Sequence, residues 1–220
     1  MLINLLRSGL EGMQLFAVIV AYVFAILIAL SMHEFAHAYV ANKQGDDTAR
    51  LSGRMTLNPL AHLDPISAIL LVLIGFGWAK PVECNPNNFR NYKSGMVKVS
   101  IAGVVVNLIT AIVFSLFYVL AFQFADQSTT IGFFIVQFCL YMCMISFVLG
   151  VFNLLPIPPL DGYSLLTALV KIDNPFMVFM QKYGLIVLII ILISPIFEVV
   201  ANFIFGATIG QLISLWSLLF

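Results

Sequence analysis

The sequence predicts an all-α polytopic membrane protein, with about four to six membrane helices, a short re-entrant segment over 66–78 and a small cytoplasm-side β element near its functional site. Three observations carry this. Hydrophobic residues make up 62% and charged residues 9% of the 220, with a mean hydropathy of +1.07; an ordinary soluble globule is excluded. The apolar residues are gathered in runs long enough to cross a bilayer, which needs about 20 residues of helix. The Lys and Arg residues are gathered too, in loops that can all lie on one side. Net charge is zero, so nothing points to nucleic acid. The length suits one integral-membrane domain over 1–220. No cleavable signal peptide is expected, because the first apolar run carries the most informative motif.

The first run, Met13 to Ala41, is about 29 residues or roughly 43 Å as a helix, ample for a span. Lys43-Gln44-Gly45-Asp46-Asp47 ends it. Thr48 to Leu57 alternates loosely through Ala49, Leu51, Met55 and Leu57, predicting one or two short strands around Gly53. Ile66 to Trp78 is apolar but too short to cross, and Gly75 and Gly77 favour a dip and return. Ala79 to Lys98 is polar, with turn signals at Asn85-Pro86-Asn87-Asn88. Val99 to Phe124 is a second span and Ile131 to Leu155 a third, stopped by Pro156-Ile157-Pro158-Pro159. Leu160 to Val170 is a short helix. Lys171 to Lys182 is polar, Tyr183 to Phe205 spans again with a kink at Pro195, and Thr208 to Phe220 is too short to assign.

Inside the first span stands Ser31-Met32-His33-Glu34-Phe35-Ala36-His37. Ionisable groups at membrane depth cost roughly 2.5–3.5 kcal/mol each on insertion scales, so they mark function by default. His33 and His37, at i and i+4, share one helical face, the spacing two imidazoles need to grip one tetrahedral Zn²⁺. Glu34 stands next to the open position. A catalytic zinc takes three protein ligands, and the remaining candidates are His62, Asp64 and Asp161.

Orientation favours Asp161. If 66–78 re-enters, Lys43, Arg50, Arg54, Lys80, Arg90, Lys93, Lys98, Lys171 and Lys182 share a side, with Arg7 opposite. By the positive-inside rule that side is cytoplasmic. Spans two and three then carry the chain out and back, returning Asp161 to the leaflet of the two histidines. Prolines in Asn153-Leu154-Leu155-Pro156-Ile157-Pro158-Pro159-Leu160-Asp161-Gly162 let the backbone turn there, and the carboxylate sits at a helix start. His62 is assigned a supporting, loop-ordering role in Asn58-Pro59-Leu60-Ala61-His62-Leu63-Asp64-Pro65. Cys139 and Cys143 read as small apolar fillers, Trp78 and Trp216 as interfacial anchors, and Glu198 as a residue near the outer interface.

These motifs resemble the site-2 protease family of intramembrane zinc metalloproteases, in its compact branch without PDZ or CBS domains. HExxH lies in a membrane helix, Asn-x-x-Pro-x-Pro-x-Leu-Asp-Gly is complete from Asn153 to Gly162, and Ala102-Gly103-Val104-Val105-Val106-Asn107 is similar to the family's Ala-Gly-Pro-x-x-Asn, with Val104 in place of proline. Gly53 through Pro65 also resembles that branch. The resemblance implies one Zn²⁺ per chain on His33, His37 and Asp161, Glu34 as catalytic base, and Asn107 and Asn153 near the oxyanion or substrate. It further implies a multi-pass protein of the cytoplasmic (inner) membrane, its site toward the cytoplasm, cutting transmembrane substrates in regulated intramembrane proteolysis. Two other classes compete: a membrane zinc transporter and a non-catalytic scaffold. Transporters commonly show repeated halves, and none is visible here. A scaffold has no use for Glu34.

Overall fold

The computed structural model describes residues 12–62, 80–171 and 173–219. The segment 66–78, assigned above as re-entrant, lies outside them, as do Asp64 and Trp78. Three long helices form the centre: α1 (Gly12–Gln44), α3 (Tyr92–Phe124) and α4 (Thr130–Asn153), each packed on the other two. The short α2 (Thr48–Leu51) follows α1, and α5 (Asp161–Leu169) lies against α3. Then come α6 (Pro175–Ile193), α7 (Pro195–Phe205) and, after a π-helical turn at Gly206–Gly210, α8 (Gln211–Leu219). Among the described residues, five helical stretches are long and apolar enough to cross a membrane: α1, α3, α4, α6 and Asn202–Leu219. The protein is an all-α, multi-pass membrane protein.

Small side chains explain the close packing of α1. Ala17, Ala21, Ala25 and Ala29 recur every fourth residue and are buried. Lipid offers no hydrophobic drive for helices to associate, so association rests on such small-residue stripes that let backbones approach. On α4, Cys143 and Phe147 pack with Ala111 of α3 and Ile209 of the π turn. The Trp216 indole N–H of α8 donates to Ser115 Oγ of α3 at 3.1 Å, tying the end of the chain to the central bundle.

Several boundaries differ from the sequence reading. No strand occurs among the described residues, and Thr48–Leu51 is helical where a strand was expected. The alternation at 48–57 lacked a buried face to enforce it: Ala49 is buried, but Leu51 and Leu57 are exposed. A local turn contact forms there instead, with Asp46 accepting from the Thr48 N–H two residues on. α3 starts at Tyr92 rather than Val99, because Asn91 caps it through the Ser94 N–H. α6 starts at Pro175, capped by Asn174 through the Phe176 N–H. Pro195 ends one helix and opens the next instead of kinking a single span. α3 runs unbroken through Val104.

Two features bring the loops together. The Lys80 N–H donates to the His62 carbonyl at 2.8 Å, so the chain returns at Lys80 to the point it leaves at His62. The proline loop after α4 is roofed by α6: Ile157, Leu160 and Leu188 form one buried cluster, and Pro158 lies against Gly184. Gly162 then fits flush against the backbone of Leu154 and Leu155, where a Cβ would overlap both carbonyl oxygens. Gly162→Ala is therefore expected to push the start of α5 away and cost about 1–3 kcal/mol. Thermal unfolding of the purified variant should show a Tm roughly 2–10 °C lower; an unchanged Tm would contradict this packing.

Candidate metal centre

His33 and His37 lie one turn apart on the buried face of α1, with relative exposures of 5% and 8%. Their rings meet edge to face at 4.6 Å between centroids. That close approach depends on α3, where Gly103 has no side chain: a Cβ there would stand 2.5 Å from His33 Cε1 and from His37 Nε2. The Ala-Gly motif thus makes room for two imidazoles between the helices.

Asp161, the first residue of α5, completes the group. Its Oδ2 lies 3.1 Å from His33 Nε2 and 3.2 Å from His37 Nε2, and the two nitrogens are 3.0 Å apart. Yet this buried oxygen makes no hydrogen bond. Three donors near 3 Å from one another match the edge of a tetrahedron about 3.3 Å on a side, as Zn–N and Zn–O lengths near 2.0–2.1 Å require. Among the described residues, these are the three that form such a group. Two imidazoles and a carboxylate suit Zn²⁺ in charge, softness and number, leaving a fourth position open. The residues fit the ion.

The outer ring nitrogens face fixed partners. His37 Nδ1 lies 2.7 Å from the Val99 carbonyl; it donates there, leaving Nε2 its lone pair. His33 Nδ1 lies 3.1 Å from Nδ2 of Asn107, a fully buried residue whose Oδ1 has no partner. Asn107 is thus brought to the histidines. Asn153 donates instead to the Leu149 carbonyl of its own helix at 2.9 Å. His62 is buried away from the cluster, its Nε2 2.8 Å from the Thr56 carbonyl, which orders the loop from 56 to 62.

Glu34 accepts a 2.9 Å hydrogen bond from the Val82 N–H. Val82 belongs to an irregular, strand-like stretch from Lys80 to Asn85, in which Val82 and Cys84 turn inward while their neighbours are exposed. The sequence reading did not single out Val82. A backbone N–H leaves no mark in a sequence.

A bundle of membrane helices closing on HExxH and a distant carboxylate defines the class of membrane-embedded metallopeptidases. The model of peptidase family M50 matches residues 120–195, which include the Asp161 loop. "Putative zinc metalloprotease YwhC" of Bacillus subtilis is 40% identical over 202 residues, covering 90% of this chain and 91% of the relative. Two proteins named "Putative zinc metalloprotease Rip2" are more distant, at 29% identity in Mycolicibacterium smegmatis and 27% in Mycobacterium tuberculosis. Each match covers 77% of this chain but 65% of the relative, so the chain spans under two thirds of their length. No solved structure matches. The chain belongs to peptidase family M50, the site-2 protease family.

Zinc content distinguishes Asp161 from His62, two of the third-ligand candidates read from the sequence. Asp161→Ala is expected to lower bound zinc at least about tenfold, since it removes one of three donors, whereas His62→Ala keeps it. Metal analysis of the purified variants checks this, and the reverse result would overturn the ligand set.

Proposed function

We propose that this membrane metalloprotease is an intramembrane zinc endopeptidase that hydrolyses peptide bonds within or near transmembrane segments of other proteins, as in regulated intramembrane proteolysis. The observation that carries the reading is the convergence of His33, His37 and Asp161 at 3.0–3.2 Å in a buried site of a helical membrane protein. The names of the relatives agree with zinc as the metal.

When bound, one zinc ion per chain supplies the Lewis acidity that polarises the scissile carbonyl and acidifies water. His33, His37 and Asp161 hold it. Glu34 takes the proton of the attacking water and returns it to the leaving amine. With His33 ligating through Nε2, its Nδ1 carries the proton, and the Asn107 amide turns its oxygen to accept it. Asn107 then orients a ligand, which satisfies the oxygen otherwise left without a partner. Asn153 keeps a second amide hydrogen free for a substrate carbonyl.

The substrate class follows from the surroundings. A transmembrane helix must open before its bonds can be cut, because its carbonyls are engaged and shielded. The stretch Lys80–Asn85, in which exposed residues alternate with half-buried ones, supports docking of the opened segment by strand addition. The nine cations on one side, with the His62–Lys80 bond joining two of their loops, support a site opening toward the cytoplasm.

Glu34 also separates this reading from transport or a passive scaffold. Glu34→Gln is expected to keep zinc and fold while lowering cleavage of a model transmembrane substrate by at least ~100-fold. Cleavage at the wild-type rate by the zinc-loaded variant would refute the mechanism, and zinc flux into vesicles surviving it would favour transport.

A further inference from the structure

Asp46 is a fully buried carboxylate just beyond the last turn of α1. Burying a charge costs several kcal/mol unless it is fully hydrogen bonded, so a buried charge calls for a reason. Its partners come from two sides. Thr48 gives its N–H and hydroxyl to Oδ1 from the chain just beyond. The distant loop gives the Asn88 amide to Oδ1 at 2.8 Å and the Asn85 N–H to Oδ2 at 2.7 Å. Burial opposes ionisation, but these donors outweigh it and hold the carboxyl below its ordinary range. The contacts clasp the loop beyond α1 to the 80–90 segment.

Asn85 stands three residues after Val82, whose N–H binds the Glu34 carboxylate. The extended stretch between them is thus held at both ends: at Asp46 and at the Lys80–His62 bond. Among the described residues, the Val82 N–H is the hydrogen-bond partner that sets the direction of the Glu34 carboxylate. Cys84 sits between, half-buried, its thiol pushed up to about 12 by burial and by the charges of Asp46 and Glu34. Cys84 thus lies close enough to both carboxylates to feel their charge.

We propose that Asp46 is a positioning residue for catalysis: by clasping Asn85 it fixes the Lys80–Asn85 stretch so that the Val82 N–H aims the Glu34 carboxylate. The proposal rests on the protease reading for the role of Glu34. It gives Asp46 a part beyond stability, since the carboxylate acts through a backbone group rather than on substrate or metal. Misplacing a catalytic group by about 1 Å can cost on the order of 100-fold in rate.

The test uses full-length protein in detergent with a model transmembrane substrate, comparing D46A, D46N, V82P and D46A/V82P. V82P removes the N–H but leaves Asp46 untouched, and proline suits an extended backbone. D46A and V82P are each expected to lower kcat by ~10–100-fold, with KM within about threefold. D46N turns an amide NH2 toward hydrogen-bond donors whichever way it sits, so it should lose nearly as much as D46A, and all variants should keep zinc. The double variant should be no worse than the poorer single one, because both act on the same bond. A kcat per zinc-loaded, folded D46A chain equal to wild type, or multiplied losses in the double variant, would overturn the proposal. A second readout needs no activity: alkylation of Cys84 in D46A should quicken at least about tenfold as the clasp opens, with Cys139 and Cys143 as internal standards. An unchanged Cys84 rate would overturn it as well. A wild type that cleaves nothing counts against the protease reading itself, and the Cys84 rate then still decides the clasp.

Discussion

Two imidazole nitrogens and a carboxylate oxygen within about 3 Å of one another, inside a membrane bundle, make an arrangement that needs positive charge at its centre. Without it, lone pairs face lone pairs in a poorly solvated site, and a buried charge costs several kcal/mol. With a divalent cation, the same three atoms become a coordination shell. The rest of the fold can be understood as the means of holding them. α1 supplies both imidazoles from one face. Gly103 lets α3 come close enough to seat the rings. The proline loop, roofed by α6 and packed through Gly162, delivers Asp161 from far down the chain.

Around this core, the protein fixes direction as well as distance. The Val99 carbonyl sets the tautomer of His37, and Asn107 buttresses His33. Both partners come from α3, so one helix supplies the space for the rings and their outer contacts. The third layer is the loop network. His62, Asp46 and Glu34 each bind a backbone group, and together they organise the polar segments just after α1 and just before α3.

Much of this was legible in the sequence, for identifiable reasons. Long apolar runs specify membrane helices whatever their packing, and His33, Glu34 and His37 stand out because polar residues are rare at that depth. Asp161 could be assigned because depth and leaflet leave few carboxylates able to meet the histidines. Boundaries were harder: Asn91 and Asn174 extend two helices through polar loops by capping, a local hydrogen bond that hydropathy does not register. At 48–57, where a strand was expected, a local turn bond from the Thr48 N–H to Asp46 precedes a helical turn. Val104, standing where related motifs have proline, leaves α3 unbroken and still presents Asn107 to His33. The link from Asp46 to Val82 to Glu34 was beyond sequence reasoning, since its middle member is a backbone amide.

The account turns on whether one metal ion sits in the shell that these three side chains describe. X-ray absorption at the zinc edge of the purified protein measures that shell directly. The account predicts one zinc per chain, four-coordinate, with two imidazole nitrogens and oxygen at about 2.0–2.2 Å. Absence of zinc from active protein, or sulfur scattering near 2.3 Å in place of the imidazoles, would contradict it.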